Sequence, residues 1–263
     1  MENLRLALFQ FDLYWEDAAA NLARFEEELW AMEAQADIII LPEMFTTGFS
    51  MNTLRLAEPM NLHSSKWMLQ MAAQMGSVIT GSVMIKDGGK YFNRLLWATP
   101  DGQLLHYDKR HLFRMAEEDH HYDMGQSNQV FEYKGWKIRP QVCYDLRFPV
   151  WSRNRASGGG EMDYDLIFYV ASWPAPRVSA WDILLQARAV ENLAYCIGVN
   201  RIGEDGNGVT YSGHSAAYDF KGKCLNSGGE KERVILVDLD KAALKAYREK
   251  FPAWKDADRF EVK

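Results

Sequence analysis

The alternation of hydrophobic and polar positions predicts strands and helices in turn over the first third of the chain. Residues 4–11 alternate and then run apolar, as a strand does, and residues 18–35 repeat apolar positions at helical spacing. Residues 36–43 read ADIIILPE, a short isoleucine-rich run that is typical of a strand covered on both faces. Residues 65–75 indicate a second helix, and a strand follows it at 77–85.

Turn signals then divide the middle of the chain into paired strands. Pro100-Asp101-Gly102 and Lys134-Gly135 each separate two strand-like runs, as in hairpins. Residues 163–174 predict another buried strand, and residues 179–194 predict a long helix with Ser179 as its N-cap. The whole pattern indicates an α/β layered fold with sheets covered by helices, in which functional groups gather at the carboxyl ends of strands.

Three chemically active side chains directly follow predicted strands. Glu43 ends the isoleucine-rich run, Lys109 follows QLLHYD, and Cys143 follows KIRPQV. A thiol becomes a good nucleophile when it loses its proton, which a buried Glu43 could accept as general base. Lys109 could favour the thiolate and bind an oxyanion, with the Tyr144 backbone N–H as a second donor. The trio therefore predicts nucleophilic catalysis at a strand-to-helix turn.

Other readings of these residues remain open at this point. A single lysine or glutamate after a strand is usually a solvated or paired charge, and a buried cysteine is usually a small apolar residue. Cys196 reads as a buried strand residue and Cys224 as part of a hairpin. A Cys–His pair is a further possibility in principle, although the spacing of the six histidines nominates none. Adjacent His120 and His121 seldom share one metal ion, so we expect no metal site.

Composition excludes several classes of protein. The chain has 263 residues and a formal net charge of −6 with no basic block, so we expect no nucleic-acid partner. It has no apolar run of about 18 residues and no signal-peptide pattern, so we expect no membrane association. Three widely spaced cysteines, an odd number without a C-x-x-C motif, argue against disulfides and zinc and favour a reducing cytoplasm.

Three motifs in order, LPEMF, DKRHLF and VCYDLRFP, resemble those of the nitrilase, or carbon–nitrogen hydrolase, superfamily. The resemblance extends over nearly the whole chain. It implies Glu43 as base, Lys109 as oxyanion stabiliser and Cys143 as nucleophile, with neither metal nor cofactor. It also implies a single domain over residues 1–263 folded as a four-layer αββα sandwich, which pairs with a second copy into an eight-layer homodimer.

The resemblance also directs attention to the loops and the C-terminus. The family has a second glutamate about seven residues before a glycine, which is Glu118 here, although Glu117 is adjacent. Its implied role is to orient the lysine and the leaving group. The stretch 155–165 is longer than usual and suggests a surface insertion, whereas Pro140 suggests a bulge or an edge in the strand before Cys143. A C-terminal arm at about 240–263, with Phe251 and Trp254, is a candidate dimer contact.

Several segments resemble the omega-amidase branch of this superfamily. They are VASWPAPR, LLQARAVENLAYCIGVNRIGEDGNGVTYSGHS and EKFPAWKDAD. The branch implies hydrolysis of the terminal amide of 2-oxoglutaramate or 2-oxosuccinamate through a Cys thioester. It also implies that Trp173 lies beside the substrate pocket. The other interpretation of Trp173 is an aromatic residue packed in the core.

Three questions about the reaction stay open in the sequence. Arg147 and Arg177 could bind a substrate carboxylate, or each could form a structural ion pair. The activity could be that of a nitrilase proper or an N-carbamoyl amidase, because the triad does not separate these enzymes. A non-catalytic interaction protein on a retired enzyme fold is a third reading, which the intact trio disfavours.

Overall fold

The computed structural model describes residues 3–156, 161–258 and 260–261, and these form two large β-sheets lying face to face between helices, with a separate two-stranded sheet of β11 and β12. The strands, in chain order, are β1 Leu4–Gln10, β2 Ile38–Ile40, β3 Glu58–Pro59, β4 Val78–Asp87, β5 Lys90–Ala98, β6 Leu104–Asp108, β7 Phe131–Tyr133, β8 Trp136–Val142, β9 Leu166–Ala171, β10 Tyr195–Asn200, β11 Ile202–Glu204, β12 Thr210–Ser212, β13 Ala216–Tyr218, β14 Cys224–Ser227 and β15 Arg233–Leu239.

The helices lie mainly on the outer faces of the two sheets. The α-helices are α1 Ala18–Trp30, α2 Thr53–Leu56, α3 His63–Met75, α4 Glu118–His121, α5 Pro149–Ser152, α6 Val178–Asn192 and α7 Lys241–Lys250. Short 3-10 helices cover Arg114–Ala116, Cys143–Arg147, Ala175–Arg177 and Ala253–Asp256. Among the described residues, no helix is long and apolar enough to cross a membrane.

The strand order brings the ends of separate strands together. The first sheet has the order β15-β1-β2-β4-β5-β6, with β3 paired to β4, and the second has the order β14-β13-β10-β9-β8-β7. Strands β1, β2 and β4 run parallel, and β5 is antiparallel to both β4 and β6, so β2 and β6 point the same way. In the second sheet, β8, β9 and β10 run parallel.

Three apolar layers hold this arrangement together. In β2, Ile38 and Ile40 face the core between the two sheets, whereas Ile39 faces the layer beneath α1 and α3. Strand β9 repeats the pattern, since Phe168 faces the inter-sheet core and Tyr169 faces the layer beneath α6. Continuous apolar runs are therefore buried on both faces, and the predicted αββα sandwich is confirmed.

Most of the predicted elements are confirmed, and the N-cap of α6 is wrong. Both hairpins form where their turns were expected, Cys196 is buried in β10, and Cys224 lies in the β13–β14 hairpin. Helix α6, however, begins at Val178 with Arg177 at the N-cap position and no side-chain cap. The preceding 3-10 turn, in which the Arg177 N–H donates to Pro174, already starts the helical path, so Ser179 falls inside the first turn.

Other local features differ from the sequence pattern or refine it. Helix α1 ends at Trp30 rather than near residue 35. The β8–β9 register continues without a bulge through Pro140. Strand β7 pairs with β8 only as far as Ile138, so Pro140 lies on an unpaired edge.

Of the expected insertion, residues 157–160 lie outside the described residues, as do residues 259, 262 and 263 of the C-terminal arm.

Candidate active site

The three residues singled out at strand ends come together where the two sheets face each other. Glu43 follows β2 and Lys109 follows β6, both in the first sheet, whereas Cys143 follows β8 in the second. The site therefore joins the carboxyl ends of strands from two facing sheets. Of these strands, β2 is buried on both faces, whereas β6 exposes Leu105 and His106.

Lys109 lies between two carboxylates and is almost completely buried. Its Nζ donates to Glu43 Oε1 at 3.0 Å and to both oxygens of Glu118 at 2.9 Å. Burial alone lowers the pKa of this ammonium, but the charges of Glu118 and Glu43 outweigh it and raise that pKa well above its usual range. Lys109 is consequently held as a fixed cation at neutral pH.

The loop after β6 supplies the second glutamate. Glu118 is fully buried, and its Oε2 also accepts the Phe113 N–H at 2.5 Å, whereas the neighbouring Glu117 is exposed with a φ of 57°. Burial raises the pKa of the Glu118 carboxyl, while the Lys109 charge opposes that rise. The loop is closed by Gly125, where a Cβ atom would meet the Asp108 carbonyl oxygen at 2.1 Å. The structure thus places Glu118, not Glu117, beside Lys109.

Glu43 has two further partners that the sequence analysis did not identify. Asn93 Nδ2, from β5, donates to Glu43 Oε1 at 2.8 Å and to Glu118 Oε1 at 3.3 Å. The backbone N–H of Ser172, just after β9, donates to Glu43 Oε2 at 2.7 Å. A polar Asn93 inside an apolar strand was the available signal, since a buried amide requires a partner. The Ser172 contact left no signal in the sequence.

Cys143 stands at the first position of the 3-10 helix that follows β8, with a φ of 45°. A positive φ is uncommon outside glycine and turns the chain sharply from strand to helix. Burial and the Glu43 charge raise the pKa of Cys143, while the Lys109 charge opposes the rise. The resting site therefore contains a neutral thiol close to the Glu43 carboxylate, an arrangement suited to proton transfer from sulfur to oxygen.

Asp145 ties the turn that carries Cys143 to the segment that carries Lys109. Its Oδ2 accepts the Val142 N–H at 3.1 Å and the Tyr107 hydroxyl at 2.8 Å. Its Oδ1 accepts the His111 backbone N–H at 3.0 Å and lies 2.7 Å from the His111 ring nitrogen Nδ1. Tyr107 and His111 flank Lys109 along the chain, so this buried carboxylate fixes the relative position of the two sheets at the site.

A cavity of about 620 Å³ opens onto this cluster. Cys143 and Lys109 line it, and so do Tyr144 and Trp173, the residues expected on the substrate side. Trp173 is buried, with its Nε1 donating to the Arg177 carbonyl at 2.8 Å. The Tyr144 N–H is at the start of a 3-10 helix, where backbone N–H groups have no acceptor within the helix.

The adjacent histidines of α4, His120 and His121, are not part of the cavity lining. Within the described ranges, no group of three or more His, Cys, Asp or Glu side chains could hold a metal ion.

Comparison with known proteins agrees with this geometry. Residues 5–249 match the family model described as carbon-nitrogen hydrolase. The chain is 47% identical over 262 residues to the omega-amidase YafV of Yersinia enterocolitica, with 99% of each chain covered. It is 30% identical over 254 residues to a 2-oxoglutaramate amidase of Bacillus subtilis, which covers 95% of this chain and 96% of that protein.

A solved structure has nearly the same backbone. It is a carbon–nitrogen hydrolase superfamily protein of Xanthomonas campestris that holds an arsenic adduct in its active site. The two proteins are 46% identical, each is covered over its full length, and the TM-score is 0.97. The family model, the relatives and the shared fold together show that the chain belongs to the carbon–nitrogen hydrolase family.

Proposed function

We propose that this protein is an omega-amidase, which hydrolyses the terminal amide of a small 2-oxo dicarboxylic acid monoamide through a thioester on Cys143. The single observation that carries the proposal is that the Cys143 thiol lies close to Glu43, which is hydrogen-bonded to Lys109 and through it linked to Glu118, while Cys143 and Lys109 line one cavity. This cluster supplies a nucleophile, a general base and a fixed cation within one buried network.

Acylation begins as Glu43 accepts the thiol proton and the sulfur attacks the amide carbon. The oxyanion that forms is bound by the Lys109 ammonium and the Tyr144 N–H, which supply charge stabilisation in a water-poor site. Glu43 then delivers its proton to the leaving nitrogen, the carbon–nitrogen bond breaks, and ammonia departs. Cys143 is left as a thioester, and Glu118 keeps Lys109 in position throughout.

Deacylation repeats the acylation steps in the reverse order, with water in place of ammonia. Glu43 removes a proton from the water, whose oxygen attacks the thioester carbon, and the same two donors bind the oxyanion. The carbon–sulfur bond breaks, the thiol recovers its proton from Glu43, and the free acid leaves. Every group used in the two half-reactions belongs to the side chains and backbone of this chain.

The choice of 2-oxoglutaramate or 2-oxosuccinamate as substrate draws on the relatives. Two of them are named for omega-amidase and 2-oxoglutaramate amidase activity, and they match over at least 95% of this chain. The cavity adds support, because it joins an apolar aromatic wall to two guanidinium groups, those of Arg147 and Arg177. A short acyl chain that ends in a carboxylate suits such a lining.

The test is ammonia release across a panel of amides, nitriles and carbamoyl amino acids, with the Cys143→Ala protein as the blank. We expect 2-oxoglutaramate or 2-oxosuccinamate to be cleaved with a higher kcat/KM than glutamine, asparagine or any simple nitrile. A chelator is expected to leave the rate unchanged, since the proposed groups are all protein groups. Hydrolysis of a nitrile or a carbamoyl amino acid, with no ammonia from either 2-oxo amide, would reject the proposal.

We further infer that the protein works as a homodimer, in the cytoplasm. The outer helices of the second sheet expose Val150, Ile183 and Val190, and the C-terminal segment exposes Phe251. Ile183 and Val190 are seven residues apart and therefore share one face of α6. Exposed apolar side chains on one face are typical of protein contacts. Free thiols at all three cysteines fit a reducing compartment.

Sedimentation velocity at micromolar concentration is expected to give a dimer for the wild type and a monomer for Ile183→Glu. The substitution puts a charge on the proposed contact, where it would be buried without a partner. Leu54→Glu is the matched control, because Leu54 is an exposed leucine on α2 and should leave the dimer intact. A wild type that sediments only as a monomer contradicts the assembly.

A further inference from the structure

Two guanidinium groups that line the catalytic cavity have no anionic partner among the described residues. Neither Arg147 nor Arg177 forms an ion pair or donates a side-chain hydrogen bond within that part of the chain. Both instead lie over aromatic rings of the cavity lining: Arg147 over Trp173, with its Cζ 4.9 Å from the ring centroid, and Arg177 over Phe113, at 5.3 Å. The ion-pair alternative for these arginines is therefore not realised.

The two arginines differ in how firmly they are held. Arg147 is exposed, so water can satisfy its five N–H donors. Arg177 is partly buried, and its backbone is fixed on both sides, by its own N–H to Pro174 and by Trp173 Nε1 to its carbonyl. A partly desolvated guanidinium with unused donors is costly unless a ligand accepts them.

Arg177 is also connected to the reacting groups through one ring. The Phe113 ring beneath its guanidinium contacts the Tyr144 ring edge-on, with centroids 5.0 Å apart. The Phe113 N–H donates to Glu118, which holds Lys109. The guanidinium therefore lies over a ring that contacts Tyr144 and whose backbone holds Glu118, next to the groups that would position a substrate.

The cavity also contains a carboxylate, but its capacity is already used. Asp205 accepts the Asn207 and Val209 N–H groups at 2.8 and 3.1 Å and the Tyr211 hydroxyl at 2.8 Å. It makes no ion pair with Arg177, whose guanidinium remains available to an incoming anion. A carboxylate ligand fits a guanidinium in a bidentate, planar geometry.

We propose that Arg177 binds the carboxylate at the far end of the substrate and so restricts the enzyme to anionic amides. This inference rests on the proposed function for its substrate, and it assigns the discrimination to one side chain. Arg147, at the exposed rim, contributes only a general attraction of anions, which salt screens.

Kinetics with matched substrates and variants test this assignment. Arg177→Gln is expected to raise the KM for 2-oxoglutaramate by about 10- to 100-fold, the range for a lost charge-assisted contact, with a small change in kcat. Pentanamide has the same chain length and no carboxylate, so its kcat/KM should not change. Arg177→Lys keeps the charge without the planar fork, so its KM for 2-oxoglutaramate should lie between those of the wild type and Arg177→Gln.

Two control variants separate this role from a general loss of charge. Arg147→Gln removes an equal charge from the same cavity and is expected to change KM only a few-fold, with the difference disappearing in high salt. Lys86→Gln removes an exposed cation that lies over the Tyr91 ring, away from the cavity, and should change nothing. A larger selective loss in Arg147→Gln, or an equal loss of both substrates in Arg177→Gln, overturns the assignment.

A binding measurement keeps the test independent of the proposed reaction. The product 2-oxoglutarate is expected to protect Cys143 from alkylation by iodoacetamide. Alkylation is measured by mass spectrometry of the peptide that contains Cys143. In Arg177→Gln, the protecting concentration should rise by about 10- to 100-fold, as the loss of a charged contact predicts. Unchanged protection rejects the role of Arg177 even if the enzyme is an omega-amidase. Weakened protection supports it even if 2-oxoglutaramate is not hydrolysed.

Discussion

Replacing Cys143 with alanine is expected to reduce kcat by at least about 10⁴-fold, because the covalent step loses the thiol that forms the thioester. The folded state should be little affected, since alanine removes one sulfur atom and keeps the same backbone at a φ of 45°. Thermal unfolding should therefore change by no more than about 1 kcal/mol in free energy. The measurement is ammonia release together with the melting temperature of both proteins.

The other two thiols provide the controls for this result. Cys224→Ala removes an exposed thiol in the β13–β14 hairpin, and Cys196→Ala removes a buried one in β10; both should keep near-normal turnover. In wild-type protein quenched with acid during turnover, the acyl group should map to the peptide that contains Cys143. Residual turnover in Cys143→Ala close to that of the wild type, or an acyl group on either other cysteine, contradicts the assignment.

The positions of the three candidate side chains could be predicted from the sequence alone, because each of them follows a strand with a distinctive pattern. The apolar run Ile38–Ile40 is buried on alternate faces, so it had to be an interior strand, and Glu43 had to stand at its end. The turns at residues 100–102 and 134–135 likewise predict where β6 and β8 begin, and therefore that Lys109 and Cys143 lie at the ends of those strands. Periodicity and turn residues are local properties, so they can be recognised in the sequence without knowledge of the fold.

The partners of Glu43 could not be predicted in this way. Asn93 and Ser172 are 50 and 129 residues away along the chain, and Ser172 contributes only a backbone N–H, which every residue type except proline has. Asp145 follows Cys143 by two residues, yet its contact with Tyr107 depends on how the two sheets face each other. Such contacts are set by packing across layers, whereas the start of α6 before Ser179 follows from the local 3-10 turn at Ala175–Arg177.

Glu43→Gln should lower kcat/KM by about 10²- to 10⁴-fold, the usual contribution of a general base. Glutamine keeps the shape, but it has one acceptor oxygen where the glutamate has two. Glu43 Oε1 accepts from Lys109 and Asn93, and Oε2 accepts from Ser172, so the new NH₂ group must face a donor in either orientation. We therefore also expect a loss of about 1–3 kcal/mol in unfolding free energy from an unpaired buried donor.

The pH profile of this variant separates a base from a structural residue. Without Glu43, the thiolate must form by loss of its proton to solvent, and burial holds the pKa of Cys143 above its ordinary value. The rate of Glu43→Gln should therefore rise by about tenfold per pH unit through the neutral and mildly alkaline range, where each unit multiplies the thiolate fraction by ten. The wild type, which transfers the proton internally, should vary much less there.

Glu118→Gln is the matched control, because it removes the other carboxylate that contacts Lys109, at 2.9 Å against 3.0 Å for Glu43, and this carboxylate is not the proposed base for the thiol. It should lower the rate through a misplaced Lys109 while keeping the wild-type pH profile. If Glu43→Gln also kept that profile at reduced amplitude, Glu43 would only position Lys109, and another group would have to take the proton. An alkaline rise confined to Glu43→Gln would assign the proton transfer to this carboxylate, since the two variants share the loss of a Lys109 contact and differ at the thiol.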